Sequence, residues 1–130
     1  MKDVRPFLIE EEDCPLEGWD DPTRGTATWK TLISADRTPT DSLTVGTAEV
    51  PSDSGIPYRK HRHAHPEVYY ILEGEGRVWI DGEEYAVKTG STLFIPGSSE
   101  HAVCNPGKRP LKLLYVFPAG AFDEVEYEFS

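Results

Sequence analysis

Three side chains within one short stretch are of the kinds that bind metal ions: His61, His63 and Glu67. Gly55 precedes them and Gly74 follows. A fourth candidate, His101, lies downstream in a second pattern of Gly90, Pro96, Ser98, His101 and Asn105. Successive side chains of a β-strand point to opposite faces, so the odd-numbered His61, His63 and Glu67 share a face if Tyr58 to Leu72 is one strand. Glu67 also requires Ala64-His65-Pro66 to bulge, and a proline fits such an irregularity. Three imidazoles and a carboxylate suit a divalent first-row metal. Four protein ligands leave two positions of an octahedral ion open, which is what metal-assisted chemistry on a small molecule needs. Fe, Mn, Ni, Zn, Co and Cu all tolerate this donor set, and the sequence does not choose among them.

Isolated histidines are usually ordinary surface or core residues. Here three of the chain's four fall within five positions, and the fourth completes the second pattern. His65 sits too close to Glu67 for ligand spacing and is assigned a supporting or surface role. Cys104 has the opposite parity to His101 and is expected to pack away from the ion as a small hydrophobe. Tyr69 shares the parity of Glu67, so it projects into the same interior. It is a candidate general base, acting as phenolate once a nearby cation lowers its pKa; the alternative is a core tyrosine. Tyr127 is a second catalytic candidate, although Val125, Tyr127 and Phe129 also make one apolar strand face. Trp29, Trp79, Tyr70 and Phe94 are read as core packing rather than pocket walls.

The elements that must hold these residues are predicted to be short strands. Thr26–Ser34, Ser42–Val50, Tyr58–Leu72, Arg77–Ile80, Glu84–Val87, Thr92–Ile95, His101–Cys104 and Leu111–Phe117 are rich in β-branched and aromatic residues and bounded by turn formers. Asp81-Gly82 is a two-residue hairpin signal. Residues 1–25 read as an irregular N-terminal arm or short edge element, and 119–130 as a C-terminal tail. Glu124 to Phe129 alternates in a period of two. The prediction is an all-β antiparallel sandwich or barrel.

The chain has 130 residues, enough for one domain spanning 1–130 with a core of its own. Its formal net charge of −10 argues against a nucleic-acid partner, which needs a basic patch. That charge is compatible with a cationic ligand. The two cysteines form no CxxC pair and are read as reduced thiols of a cytoplasmic protein. No stretch has the apolar length of a membrane span, and the N-terminus lacks the apolar core of a signal peptide.

At these residues the sequence resembles the cupin superfamily, small barrels of the double-stranded β-helix (jelly-roll) type. The first cupin motif is matched from Gly55 through Gly74, and the second at Gly90, Pro96, His101 and Asn105. The chain departs from the family at Ser98, where glycine is usual. The resemblance covers 55–105 through the motifs and most of the chain through the flanking strands. It implies that His61, His63, Glu67 and His101 bind the metal, and that two copies pair as a homodimer.

A narrower resemblance is to the small cupin-type dimethylsulfoniopropionate lyases. It is carried by Trp29-Lys30, Leu32-Ile33, Ala35-Asp36, Glu67-Val68-Tyr69, Phe117-Pro118 and Glu124-Val125-Glu126-Tyr127, with a departure at His65-Pro66. It implies catalytic roles for Tyr69 and Tyr127, and a β-elimination on a small carboxylate substrate. The alternatives left open are another metal-dependent cupin (dioxygenase, sugar isomerase or epimerase, or cyclase) and a small-ligand-binding cupin without turnover.

Overall fold

The computed structural model describes residues 3–21, 25–53, 60–118 and 128–129. Eleven strands are described: β1 (Leu16–Asp21), β2 (Gly25–Ile33), β3 (Thr44–Val50), β4 (His61–Arg62), β5 (Glu67–Glu73), β6 (Glu75–Ile80), β7 (Glu83–Lys88), β8 (Thr92–Ile95), β9 (His101–Cys104), β10 (Leu111–Phe117) and β11 (Glu128–Phe129). They form two antiparallel sheets. The six-stranded sheet has the order β1-β2-β3-β10-β5-β8, and the five-stranded sheet the order β11-β4-β9-β6-β7. The all-β jelly-roll expectation is met. Among the described residues the only helical element is one 3-10 turn at Glu11–Asp13.

Alternation builds the core. On β10, Leu111, Leu113, Tyr115 and Phe117 are buried and the residues between them only partly so. Tyr69 and Ile71 of β5, Val78 of β6, and Leu93 and Ile95 of β8 join that cluster. Turns then fix the registers. Asp81 and Gly82 both adopt positive φ, 46° and 92°, joining β6 to β7 as a hairpin of that composition should. Gly74, at φ 93°, closes the first motif where a Cβ would lie 2.5 Å from the Pro110 carbonyl oxygen, so only glycine fits.

Two expectations change, and one choice is resolved. The stretch 58–72 is not one strand: β4 ends at Arg62 in the five-stranded sheet, and β5 begins at Glu67 in the other. Parity therefore does not place His61, His63 and Glu67 on one face of one ribbon; they reach a shared interior from opposite walls. Tyr70 and Phe94 are not core residues. Both lie on the outer face, with Phe94 65% exposed. Within the N-terminal 25 residues, β1 is a regular edge strand paired along its length with β2. Trp29 does pack against the core. Trp79, on the other face of β6 from buried Val78, carries Lys60 Nζ 4.3 Å from its ring centroid.

Candidate metal centre

His61 and His101 are direct cross-strand partners in the β4–β9 ladder, and their ring centroids are 4.2 Å apart. His63 follows β4 in the crossing segment and meets the His101 ring edge-on, with centroids at 5.2 Å. One ring nitrogen from each of the three lies within 4.8 Å of the others. Glu67, the first residue of β5, brings its carboxylate from the facing sheet. Its Oε1 is 3.2 Å from His63 Nε2 and 3.5 Å from His101 Nε2. The four residues singled out from the two motifs thus converge. His63, Glu67 and His101 are buried, and His61 is half-buried on the open side.

Backbone carbonyls set the imidazole tautomers. His63 Nδ1 is 2.8 Å from the His65 carbonyl oxygen, and His101 Nδ1 is 2.8 Å from that of Ser99. A carbonyl only accepts, so both Nδ1 atoms carry the hydrogen. In a neutral ring Nε2 then presents a lone pair to the shared space. His65 supplies only its carbonyl to this arrangement; its ring is outside the group.

That arrangement tests the fit to a metal. Two inward lone pairs and a carboxylate oxygen repel one another unless a positive charge sits among them. His101 Nε2 is fully buried and makes no hydrogen bond. An orphaned buried nitrogen is costly unless something else satisfies it. A divalent cation answers both requirements, and the donor set is chemically appropriate. Without a metal, a proton takes that part. Burial pushes the His63 pKa down, but the Glu67 hydrogen bond and charge outweigh it and hold the imidazole above its ordinary value. Burial likewise pushes Glu67 up, yet the two neighbouring imidazoles hold it below the usual carboxylate range.

The surrounding scaffold is tied to these ligands. The Asp81 amide donates to the Glu100 carbonyl at 2.9 Å, and the Glu100 amide donates to Asp81 Oδ1 at 2.8 Å. The β6–β7 hairpin thereby clamps the residues that orient His101. Cys104 is buried and lies outside the ligand group, as its parity required. Tyr69 is 7% exposed and packs its ring edge-on to that of His101, with centroids 6.3 Å apart. Tyr127 lies outside the described residues. The sequence reading passed over Tyr115, a buried phenol opposite Tyr69 in the β5–β10 ladder. It was hidden in an apolar alternation that reads as plain core.

Residues 46–117 match the family described as Cupin domain. The chain belongs to the cupin family. It is 38% identical over 125 residues to the dimethylsulfoniopropionate lyase DddW of Ruegeria pomeroyi, an alignment that covers 96% of this chain and 80% of that protein. Its backbone is similar to that of the polyketide cyclase RemF of Streptomyces resistomycificus, with a TM-score of 0.75 and 21% identity over 88% of this chain and 80% of that one. A predicted oxalate decarboxylase of Thermotoga maritima gives a TM-score of 0.73 and 20% identity, covering 87% of this chain and 99% of that one. Likeness at these identities speaks for the barrel and not for a shared reaction.

Proposed function

We propose that this chain is a metal-dependent lyase that cleaves dimethylsulfoniopropionate to dimethyl sulfide and acrylate. The similarity to the Ruegeria pomeroyi lyase along almost the whole chain carries this reading. His61, His63, Glu67 and His101 are assigned as the ligands of one divalent transition metal. When bound there, the metal would stabilise negative charge developing beside the substrate carboxylate.

The remaining chemistry falls to this chain's own residues. In a β-elimination the α C–H bond gives its electrons to a new C=C bond. The β C–S bond breaks, and its electron pair leaves with sulfur as dimethyl sulfide. Tyr69 is assigned the departing proton. A free phenol titrates near 10, so a base of this kind needs a cation close by to act near neutrality. The inward position of Tyr69 beside His101 supports the role. Tyr127 is kept as a second catalytic candidate. It immediately precedes β11, whose Phe129 pairs with His61. The reading includes a homodimer in the cytoplasm. The outward Tyr70, Leu72 and Phe94 offer apolar surface for a subunit contact, and the two cysteines are free thiols.

The test is headspace gas chromatography of dimethyl sulfide. The protein is loaded in turn with Fe, Mn, Ni, Co, Zn and Cu and given dimethylsulfoniopropionate. Release above a His63→Ala control is the expected result. No release with any metal removes the lyase assignment.

A further inference from the structure

Two of the candidate ligands hang from backbone carbonyls, and the two tethers are not alike. His101 Nδ1 donates to the Ser99 carbonyl oxygen at 2.8 Å, and His63 Nδ1 donates to that of His65 at 2.8 Å. A carbonyl shares its peptide group with the nitrogen of the next residue. Behind the His101 tether that nitrogen belongs to Glu100, and its hydrogen is donated to Asp81 Oδ1 at 2.8 Å. Behind the His63 tether it belongs to Pro66, which has no hydrogen to give.

The line from Asp81 to His101 is therefore continuous: carboxylate, amide hydrogen, peptide group, carbonyl oxygen, imidazole hydrogen. An N–H bonded to an anion shifts electron density through the peptide resonance onto the carbonyl oxygen. That oxygen then accepts more strongly from Nδ1, and an imidazole so held is more basic at Nε2. His101 Nε2 is the buried nitrogen that lacks a hydrogen bond and lies 3.5 Å from the Glu67 carboxylate.

The fold fixes Asp81 against this peptide. Ile80, the last residue of β6, pairs with His101, the first of β9. Just beyond that pair the Asp81 amide donates to the Glu100 carbonyl at 2.9 Å, so one residue holds the peptide groups on both sides of Glu100. The turn itself does not require a carboxylate. Asn-Gly builds the same two-residue hairpin, with positive φ at both positions as Asp81 and Gly82 have here.

We propose that Asp81 is a positioning residue of the metal centre, a carboxylate acting through the Ser99–Glu100 peptide to strengthen His101, but not His63, as a ligand. This rests on the assignment of His101 as a ligand and not on the lyase reading. Asp81 is exposed, so water and salt screen its charge, and its effect is smaller than that of a carboxylate touching the imidazole directly.

Nuclear magnetic resonance of protein with isotopically labelled histidine nitrogens reads the two Nδ1–H signals separately, in metal-free and in zinc-loaded protein. Asp81→Asn keeps the turn and an oxygen acceptor and loses the charge. Asp81→Gly keeps the turn and loses the acceptor. In both variants the His101 Nδ1–H proton should move upfield as its hydrogen bond weakens, while the His63 signal stays in place. Zinc affinity, from competition with a chelator, should fall about threefold to tenfold, below the ~10–100-fold that follows loss of a group bonded directly to a ligand. An unmoved His101 signal in Asp81→Asn overturns the proposal. An equal shift at His63 also overturns it, because that would be general loosening of the site. A wild type that takes up no zinc would overturn the ligand role of Asp81 together with the metal centre. Absence of dimethyl sulfide from a zinc-binding wild type would remove the lyase reading alone and leave the two histidine signals to decide.

Discussion

The Ser98 amide donates to the carbonyl of His63 at 2.8 Å, fastening the turn of the second motif to the ligand-bearing segment of the first. Ser98 makes this bond at φ 65°, a left-handed conformation that costs a residue with a Cβ about 1–2 kcal/mol. Glycine, usual in the family at this position, carries no such cost. Ser98→Gly should therefore stabilise the protein by about 1 kcal/mol, less the entropy a glycine loses on folding, and raise Tm by roughly 2–4 °C. Thermal unfolding followed by circular dichroism measures it; a lower Tm would mean the serine side chain contributes something the backbone does not show.

Removing a ligand should empty the metal centre while leaving the barrel intact. Losing even a group that orients a metal ligand costs about 10–100-fold in affinity, so His63→Ala or His101→Ala should lose at least about 100-fold. Metal analysis after dialysis, with calorimetric titration, gives the number. Unchanged retention in both variants would move the metal elsewhere.

Metal affinity should rise with pH. The metal-free His63 has a raised pKa, so its proton adds stability that is full below its unfolded value near 6.5 and fades as pH climbs through the folded pKa. A metal must displace that proton, so affinity should increase by up to about tenfold per pH unit until His63 is neutral. Glu67 has a depressed pKa, so its contribution is present above the ordinary carboxylate range and is lost as pH falls through its folded value. Competition titrations at stepped pH check the slope; a flat profile from pH 5 to 8 excludes His63 as a ligand.

Tyr69→Phe removes one oxygen from a residue packed beside His101. If Tyr69 takes the substrate proton, kcat for dimethyl sulfide release should fall about 10²–10⁴-fold with metal content unchanged. Steady-state kinetics alongside metal analysis separate this from a merely structural role. A loss of less than threefold would pass the base to another group.

Gly46→Ala should destabilise the protein. The new methyl group would press on the Tyr115 ring and lie 2.6 Å from the Lys30 carbonyl oxygen. Overpacking of this kind costs about 1–3 kcal/mol, which urea denaturation resolves.

The sequence revealed a good deal, and unevenly. The strands at Thr92–Ile95, His101–Cys104 and Leu111–Phe117 are found at the bounds read from sequence, because glycine and proline punctuate them sharply. The four convergent side chains at the candidate centre were also legible, since the two motifs name them by spacing. The wall each comes from was not. Alternation records which face a residue takes, but cannot show that the chain changes sheets between Arg62 and Glu67. The strand Leu16–Asp21 was left open between an irregular arm and a short edge element, because acidic residues and turn formers blur its alternation, and its pairing with β2 makes it the edge. Tyr115 escaped for the opposite reason. Its neighbours Leu113 and Phe117 are so regular that the phenol looked like one more hydrophobe, and only the empty side of Gly46 shows where its oxygen goes.

The placement of the candidate ligands on both sheets makes a bound ion a rivet between two halves of the molecule. Separating the sheets would then tear the coordination sphere apart, so unfolding the barrel must also release the ion. A free metal level a hundredfold above the dissociation constant would add about 2.7 kcal/mol to the work of unfolding, and starvation for metal would weaken the protein before it silenced it.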